Sequence, residues 1–548
     1  MNNNPQGFNA VPENFAPPVF QPPVPQIPLK PKKVYSPLKK KDKVFLSLFA
    51  LDAFVFADYF VGSMIPYGLG LTVFCLLQLI VSAAYFYDKN NKPSAFVITC
   101  GVLSAVGSID FTLFGDNLIN SMLLVLVAGL YGLFCIGLSN CFSFETGSYK
   151  IIFDLIFDTF VKPFKSAPEL FGAIKVGDKK EKKNLSALVG VLLAVPALIV
   201  IVPLLIKSDA AFEGLVQGLS QNATVLVIKL IVCAVILPYF LFYAYSKKIK
   251  KNTASGAKKL NIRRAPYSAG VSFLSVISVV YVVYLFSQLA YFFSAFSGVL
   301  PDGYELTASA FARRGFYEMF AICCINVGLV SLVLILCRRN EQGRLPLSLK
   351  LLSLFISVFD FVLLVSAFAK MVMNVQRYDL SKNRVLVCVF MLMTAVVLTF
   401  FTVHIFVPKL PYMKSIIVIC SVIFIAMSYC NINARIAEYN VREYVNSASA
   451  SLDVSALSDL GDGAVDSLVK IANDNTDTFS KEEKSRARAA LRTIRDEHYE
   501  LNFDNGKLKV SDLRSFNLSR YKAVQKIGDG PVVSDDEPLY NESYFNLT

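Results

Sequence analysis

Apolar residues in this chain gather into long runs separated by short polar loops, and the runs keep no soluble-helix stripe or strand alternation. Runs of about 20 residues match a hydrocarbon core of ~30 Å at ~1.5 Å per helical residue. Spans are predicted at about 44–63, 68–87, 93–113, 118–138, 185–206, 223–246, 268–292, 315–337, 351–373, 385–407 and 415–432. The pattern predicts an all-α polytopic transmembrane bundle of about 11 spans with a small C-terminal helical module. Between Tyr284 and Cys337 two spans are joined by a short polar loop, and the second opens with Arg313, Arg314 and Glu318.

Outside the spans the pattern changes twice. Residues 1–43 hold proline throughout and end in the basic run KPKKVYSPLKKKDK, which predicts a disordered cytoplasmic leader. From Asn433 the chain becomes mixed and charged. Ser480 followed by Glu483 has the spacing of a capping box, and Ala487, Ala490, Leu491 and Ile494 then recur at helical spacing. Asp504-Asn505-Gly506 is a turn signal. Residues 433–526 therefore read as a soluble helical module and 527–548 as a disordered acidic tail. Inside the bundle region, KIIFDLIFDTFVK sets Asp154, Asp158 and Lys162 on one helical face and Ile151, Ile152, Leu155 and Phe160 on the other. That pattern predicts an interfacial helix near 148–162, and the lysines that follow suit anionic lipid headgroups.

Composition agrees with a membrane chain: of 548 residues 54% are hydrophobic, and mean hydropathy is +0.51. The net charge of +13 divides unevenly, with −5 from residue 433 onward and +18 before it. The leader and the loops 88–92, 139–184, 247–267, 338–350 and 408–414 carry 31 Lys and Arg, whereas the alternate loops carry 6. This bias predicts a cytoplasmic N-terminus in the cell membrane, and an odd number of spans then puts the C-terminus outside. It also accounts for the basic charge without nucleic acid. The 11 cysteines form no CxxC pair, the 2 histidines exclude HExxH, and no cofactor or metal motif occurs, so no cofactor is expected. The expected partner is the lipid bilayer; protein partners are not legible.

Ionisable residues inside a bilayer are costly and face the bundle interior or a wet cavity. Asp52 and Asp360 fall near mid-membrane, and Asp58, Asp110, Lys229, Glu318 and Lys370 fall in the outer half. Arg314 and Glu318 are four apart on one helical face, Asn326 lies two turns further in, and Gln288 ends the preceding span. Two readings fit: a polar pocket for a small polar or anionic ligand, or ion pairs that set helix register. His404 fits a satisfied polar contact or a proton relay.

FARRGFYEMF at 311–320 and DLRSFNLSRYKA at 512–523 resemble the paired signatures, YARRGFFEL and DWRSWNLSR, of an uncharacterised family of bacterial polytopic membrane proteins. SYCNINARIAEYNVREYV at 428–445 is similar to that family's segment leaving the last span. Leu513 and Phe516 stand where the family has tryptophan. The resemblance implies a membrane fold and no chemistry. Three functions stay open: a sensory or scaffolding protein with an extracytoplasmic C-terminal module, a transporter or channel with an outward-facing pocket around Arg314 and Glu318, and a membrane enzyme acting on a lipid-linked substrate. The absence of GxxxxGK[ST] and GxSxG motifs weighs against an enzyme.

Overall fold

Backbone inside a bilayer has no water to satisfy its N–H and C=O groups, so each apolar run closes its hydrogen bonds on itself as a helix. The computed structural model describes residues 37–63, 67–87, 92–142, 148–175, 221–247, 265–297, 308–338, 345–446, 452–476, 478–498, 501–504, 507–510 and 513–528. Side chains are described throughout these except at 60–63, 221–227, 287–297, 308–315, 377–378 and in the two strands. The leader up to residue 36, the expected span 185–206, the lysine run 179–183 and the tail beyond 528 lie outside the described residues.

The first half of the bundle comprises α1 (Lys40–Ser63), α2 (Leu69–Phe86), α3 (Ala95–Leu113), α4 (Asn117–Leu138), α5 (Lys150–Ile156), a π-helical turn (Phe157–Val161), α6 (Lys162–Lys175) and α7 (Gln221–Ser246). The second half comprises α8 (Tyr267–Ser297), α9 (Ala308–Leu336), α10 (Leu347–Tyr378) and α11 (Lys382–Phe406), followed by α12 (Tyr412–Tyr429). Among the described residues nine helices are long and apolar enough to cross a membrane: α2 to α4 and α7 to α12. The expected first span is the 24-residue α1, which also carries charges along its length.

α1 packs on α7 and α2, α3 packs on α4 and α2, and α10 is the centre of the second half, touching α8, α9 and α11. α12 joins the halves, lying against α3 and α4 on one side and α11 on the other. Successive antiparallel helices put the lysine-rich loops at one end. There Phe49, Tyr85, Phe86, Phe96 and Tyr243 form an apolar cluster. The turns around residues 67, 115 and 380 share the other end.

The segment expected to lie on the membrane surface, 148–162, bends through the π turn. Its acidic face is turned into the protein: Asp154 and Asp158 are buried, and Asp158 accepts from Lys162 at 2.8 Å and pairs with Lys247 after α7. Ile152, Phe153, Phe160 and Phe164 are exposed on the opposite side.

α12 ends at Cys430, and Asn431, in the left-handed region with φ 47°, turns the chain into α13 (Ile432–Val445). α14 (Val454–Ser458), a 3-10 turn (Gly461–Ala464), α15 (Val465–Ala472), α16 (Lys481–Glu497) and α17 (Leu518–Gly528) complete the module. Ile436, Leu457, Leu468, Ile471, Leu491 and Ile494 form its core. The capping box closes as expected: Glu483 N donates to Ser480 Oγ at 3.2 Å, and Ser480 N to Glu483 Oε2 at 2.7 Å. Beside its helices the module carries one short hairpin. Leu501–Asp504 (β1) and Lys507–Val510 (β2) pair antiparallel with Asp504 opposite Lys507. An Asn-Gly two-residue loop between alternating apolar residues selects a hairpin rather than an open turn.

Candidate functional site

The second half contains a buried polar chain. Three helices, α8, α9 and α10, each contribute one polar residue at the same depth. Tyr281 Oη donates to Asn326 Oδ1 at 2.5 Å, and Asn326 Nδ2 donates to Asp360 Oδ1 at 2.7 Å. Asn326 and Asp360 are buried, and the Cys323 thiol lies beside the carboxyl. Tyr281 is held by stacking on Phe359, with centroids 4.1 Å apart and planes within 3°. An amide suits the middle of such a chain because its oxygen accepts while its nitrogen donates. Replacing it leaves a carboxyl in hydrocarbon with its main donor gone.

Of the residues expected around Arg314, Glu318 is exposed on α9 and acts electrostatically on Lys370 of α10. The side chains of Arg313, Arg314 and Gln288 lie outside the described residues. Phe316 and Phe320 of the same motif pack edge-on against Phe390 of α11, at 5.9 and 5.0 Å. The expected set is thus divided: Glu318 with Lys370, Asn326 with Asp360, and Asp58 with Lys229. His404 stacks on Tyr412, with centroids 4.2 Å apart.

Asp110 stands apart. It is 1% exposed on α3, and among the described residues neither carboxyl oxygen has a hydrogen-bond partner. Its polar neighbour Ser428, on α12, already donates to the Ile425 carbonyl at 2.9 Å.

The remaining charges gather where the module meets the bundle. Asp58, near the end of α1, accepts from Lys229 at 2.6 Å and from Arg514 at 2.8 Å. Asp116 ties three elements together. Its Oδ1 caps α4 by accepting from Ile119 N at 2.8 Å. Its Oδ2 meets Lys382, at the start of α11, at 2.6 Å, and Asn433 Nδ2 of α13 at 2.7 Å. Burial works against its charge, but the Ile119 amide, Lys382 and Asn433 outweigh that and hold the carboxyl below its usual 3.8. Nearby, Asn440 holds Leu380 by both backbone groups, at 2.9 Å each.

The 512–523 signature docks on the same end. Leu69 N donates to Phe516 O and Gly70 N to Arg514 O, each at 2.8 Å, so the signature satisfies the amides that open α2. Asn517 Nδ2 donates to Phe111 O at 3.1 Å, while its Oδ1 accepts from Ser519 N and Arg520 N and so starts α17. The fit needs glycine: a Cβ on Gly68 falls 2.8 Å from the Ser515 carbonyl carbon, and one on Gly70 falls 3.0 Å from Arg514 O. Leu513, at a tryptophan position of the resembled family, is 68% exposed and takes no part in the seat.

With this arrangement in view, the family model described as Domain of unknown function (DUF4153) matches residues 95–471. The chain belongs to that family. No curated protein and no solved structure matches the chain. The matched region runs from the start of α3 to the end of α15, so it leaves out α1 and α2 and includes Asp116, Lys382 and Asn433. The family assignment carries no activity. Among the described residues no group of three or more His, Cys, Asp or Glu could hold a metal.

Sequence reasoning missed the partners of this junction. Lys382, Asn433, Arg514 and Asn517 lie outside the spans, where a polar residue is ordinary. The available signal was that Asn433, Arg514 and Asn517 sit inside the two signature stretches nearest the module.

Proposed function

We propose that the protein is a sensory or scaffolding membrane protein whose bundle positions an extracytoplasmic C-terminal module. Asp116 carries this reading, because one carboxylate holds the start of α4, the start of α11 and the first turn of the module. A shift of one bundle half against the other changes the module's seat, and a partner pulling on the module acts back on the halves. The module's end of the bundle lies opposite the lysine-rich loops, which supports an extracytoplasmic location through the positive-inside rule. The test is labelling of single cysteines introduced at Ser36 and at the exposed Ser455, in intact cells and a cysteine-free background. An impermeant maleimide is expected to reach only the second, and equal protection of both overturns the reading.

The buried Tyr281–Asn326–Asp360 chain favours a second reading, cation-coupled transport, since intramembrane carboxyls commonly mark ion pathways. Its test is proton or sodium flux into vesicles containing the reconstituted protein, with Asp360→Asn as comparison. Flux that survives the substitution removes this reading.

A further inference from the structure

The first bundle half encloses a cavity of about 320 Å³. Its walls are mostly Phe49, Phe56, Leu71, Phe74, Leu124 and Phe240, and it reaches from Phe49 to Tyr59 along α1. Ten residues of helix rise about 15 Å, so the space is elongated along the bundle axis.

Among the described residues, the polar wall atoms left without a partner, on Gln78 and Thr159, lie toward one end. Tyr131 Oη donates to Gln78 Oε1 at 3.2 Å and shares a hydrogen bond with Ser82 Oγ at 2.7 Å. This leaves Gln78 Nε2 without an acceptor, although the residue is only 6% exposed and lines the cavity. The Asp52 carboxyl lies beside the Gln78 side chain. Thr159 Oγ1, also in the wall, is buried and unpaired. Gln78, Tyr131 and Thr159 lie about 10–12 Å inside the lysine-rich end, counting helical rise back from Phe86 and Leu138. The opposite end, at Tyr59, Leu71 and Leu124, approaches the module.

Two backbone irregularities line the same space. Thr159 sits in the π turn, a feature often found at functional sites. Tyr239 follows Pro238, which stands inside α7 and cannot donate a backbone hydrogen bond. An apolar pocket of this size with a few convergent polar groups is the usual form of a small-molecule site.

We propose that this cavity holds one acyl chain of a membrane phospholipid, entering from the lysine-rich side, with its ester carbonyl accepting from Gln78 Nε2. The polarity gradient selects the occupant. A carbonyl belongs at the Gln78–Thr159 level, and only hydrocarbon fits the aromatic far end. Lys41, Lys165 and Lys414, at the lysine-rich end, suit an anionic headgroup. Acyl chains are also the most concentrated apolar solute available to a cavity within a bilayer.

The full chain, purified in mild detergent, is exposed to phosphatidylglycerol bearing a photoreactive diazirine in one acyl chain, and labelled peptides are mapped by mass spectrometry. Labelling is expected at the cavity-lining Phe74, Gln78, Leu124, Ala128 and Tyr131, exceeding that at the outward-facing Ile80 and Val125. Ala128→Trp fills the cavity and is expected to cut that labelling at least fivefold, with the milder Ala128→Leu intermediate. Gln78→Leu keeps the shape but removes the donor, and is expected to reduce phosphatidylglycerol labelling about tenfold while leaving a plain diazirine alkane unaffected. Labelling confined to outward-facing residues overturns the proposal. So does undiminished labelling in a folded Ala128→Trp protein, or retention of free fatty acid without phospholipid. Efficient disulfide formation between Cys75 and a cysteine placed in 185–206 also overturns it, because the chain then fills its own cavity.

Discussion

The two ends of the bundle handle charge differently. At the module end, Asp58 and Asp116 are carboxylates met by side chains from distant parts of the chain: Lys229 and Arg514 for one, Lys382 and Asn433 for the other. At the lysine-rich end one buried carboxylate, Asp158, is met by Lys162 and Lys247, and other lysines lie over aromatic rings: Lys41 over Phe45, Lys165 over Phe157, Lys350 over Phe406 and Lys414 over Phe96. One end is closed by protein, with specific acceptors for specific donors. The other keeps several cations at the rim, where they lie over aromatic rings. Charge that joins protein to protein demands geometry.

The comparison breaks most readily at Asp116. Asp116→Leu removes the helix cap and the partner of Lys382, leaves Asn433 only the Leu460 carbonyl, and is expected to cost about 3 kcal/mol, measured as thermal stability in detergent. The pH dependence follows from the same contacts. A carboxyl held below its usual 3.8 contributes fully above about pH 4, and the contribution is lost as pH falls through the native value. Module docking, followed by hydrogen exchange of residues 513–528, is expected to be flat from pH 7 to about 4.5 and to weaken only below that. Loosening near pH 6 contradicts this assignment.

Next in size is Gly68→Val. The seat offers backbone rather than a yielding side chain at 2.8 Å, so the added atoms displace the 513–517 segment. Overpacking of this kind costs roughly 1–3 kcal/mol. Faster proteolysis after Leu513, with the bundle's own melting unchanged, is the expected result. A smaller effect is expected for Arg514→Ala. The guanidinium is half exposed, the pair is wet, and its loss should cost less than about 1 kcal/mol. A double-mutant cycle with Asp58→Asn measures the coupling, and a value of several kcal/mol would show that the ion pair, rather than the backbone contacts, holds the module.

The smallest stability change belongs to the other end. Lys414→Gln and Lys350→Gln should leave melting unchanged within about 0.5 kcal/mol. Each is expected to weaken association with anionic lipid by about 1 kcal/mol, read from lipid retention in detergent of rising anionic content. A large loss of stability instead would place both ends under the same rule.

Much of the architecture follows from local pattern. Apolar run length specifies the helices, because unsatisfied backbone is too costly in hydrocarbon for anything else. The Ser480 capping box is a four-residue feature and forms as written. Depth alone singled out Asp110 and Asp360 as intramembrane carboxyls. Their surroundings were not legible, since nothing local distinguishes Asp360, met by Asn326 from 34 residues away, from Asp110, which has no hydrogen-bond partner among the described residues.

Partner choice is where tertiary structure decided the outcome. Glu318 also acts on Lys370 across a helix interface, a contact that spacing along α9 could not show. Asp116 lies between two spans, where a charge is ordinary, and becomes a junction only because α11 and α13 meet it there. The 512–523 stretch was recognisable as a signature, but its purpose needed Gly68, Gly70 and Phe111, more than 400 residues earlier in the chain. The cavity at Gln78 is likewise a property of six packed elements and of no single one. A sequence states which groups are expensive to bury; only the fold states which of them meet.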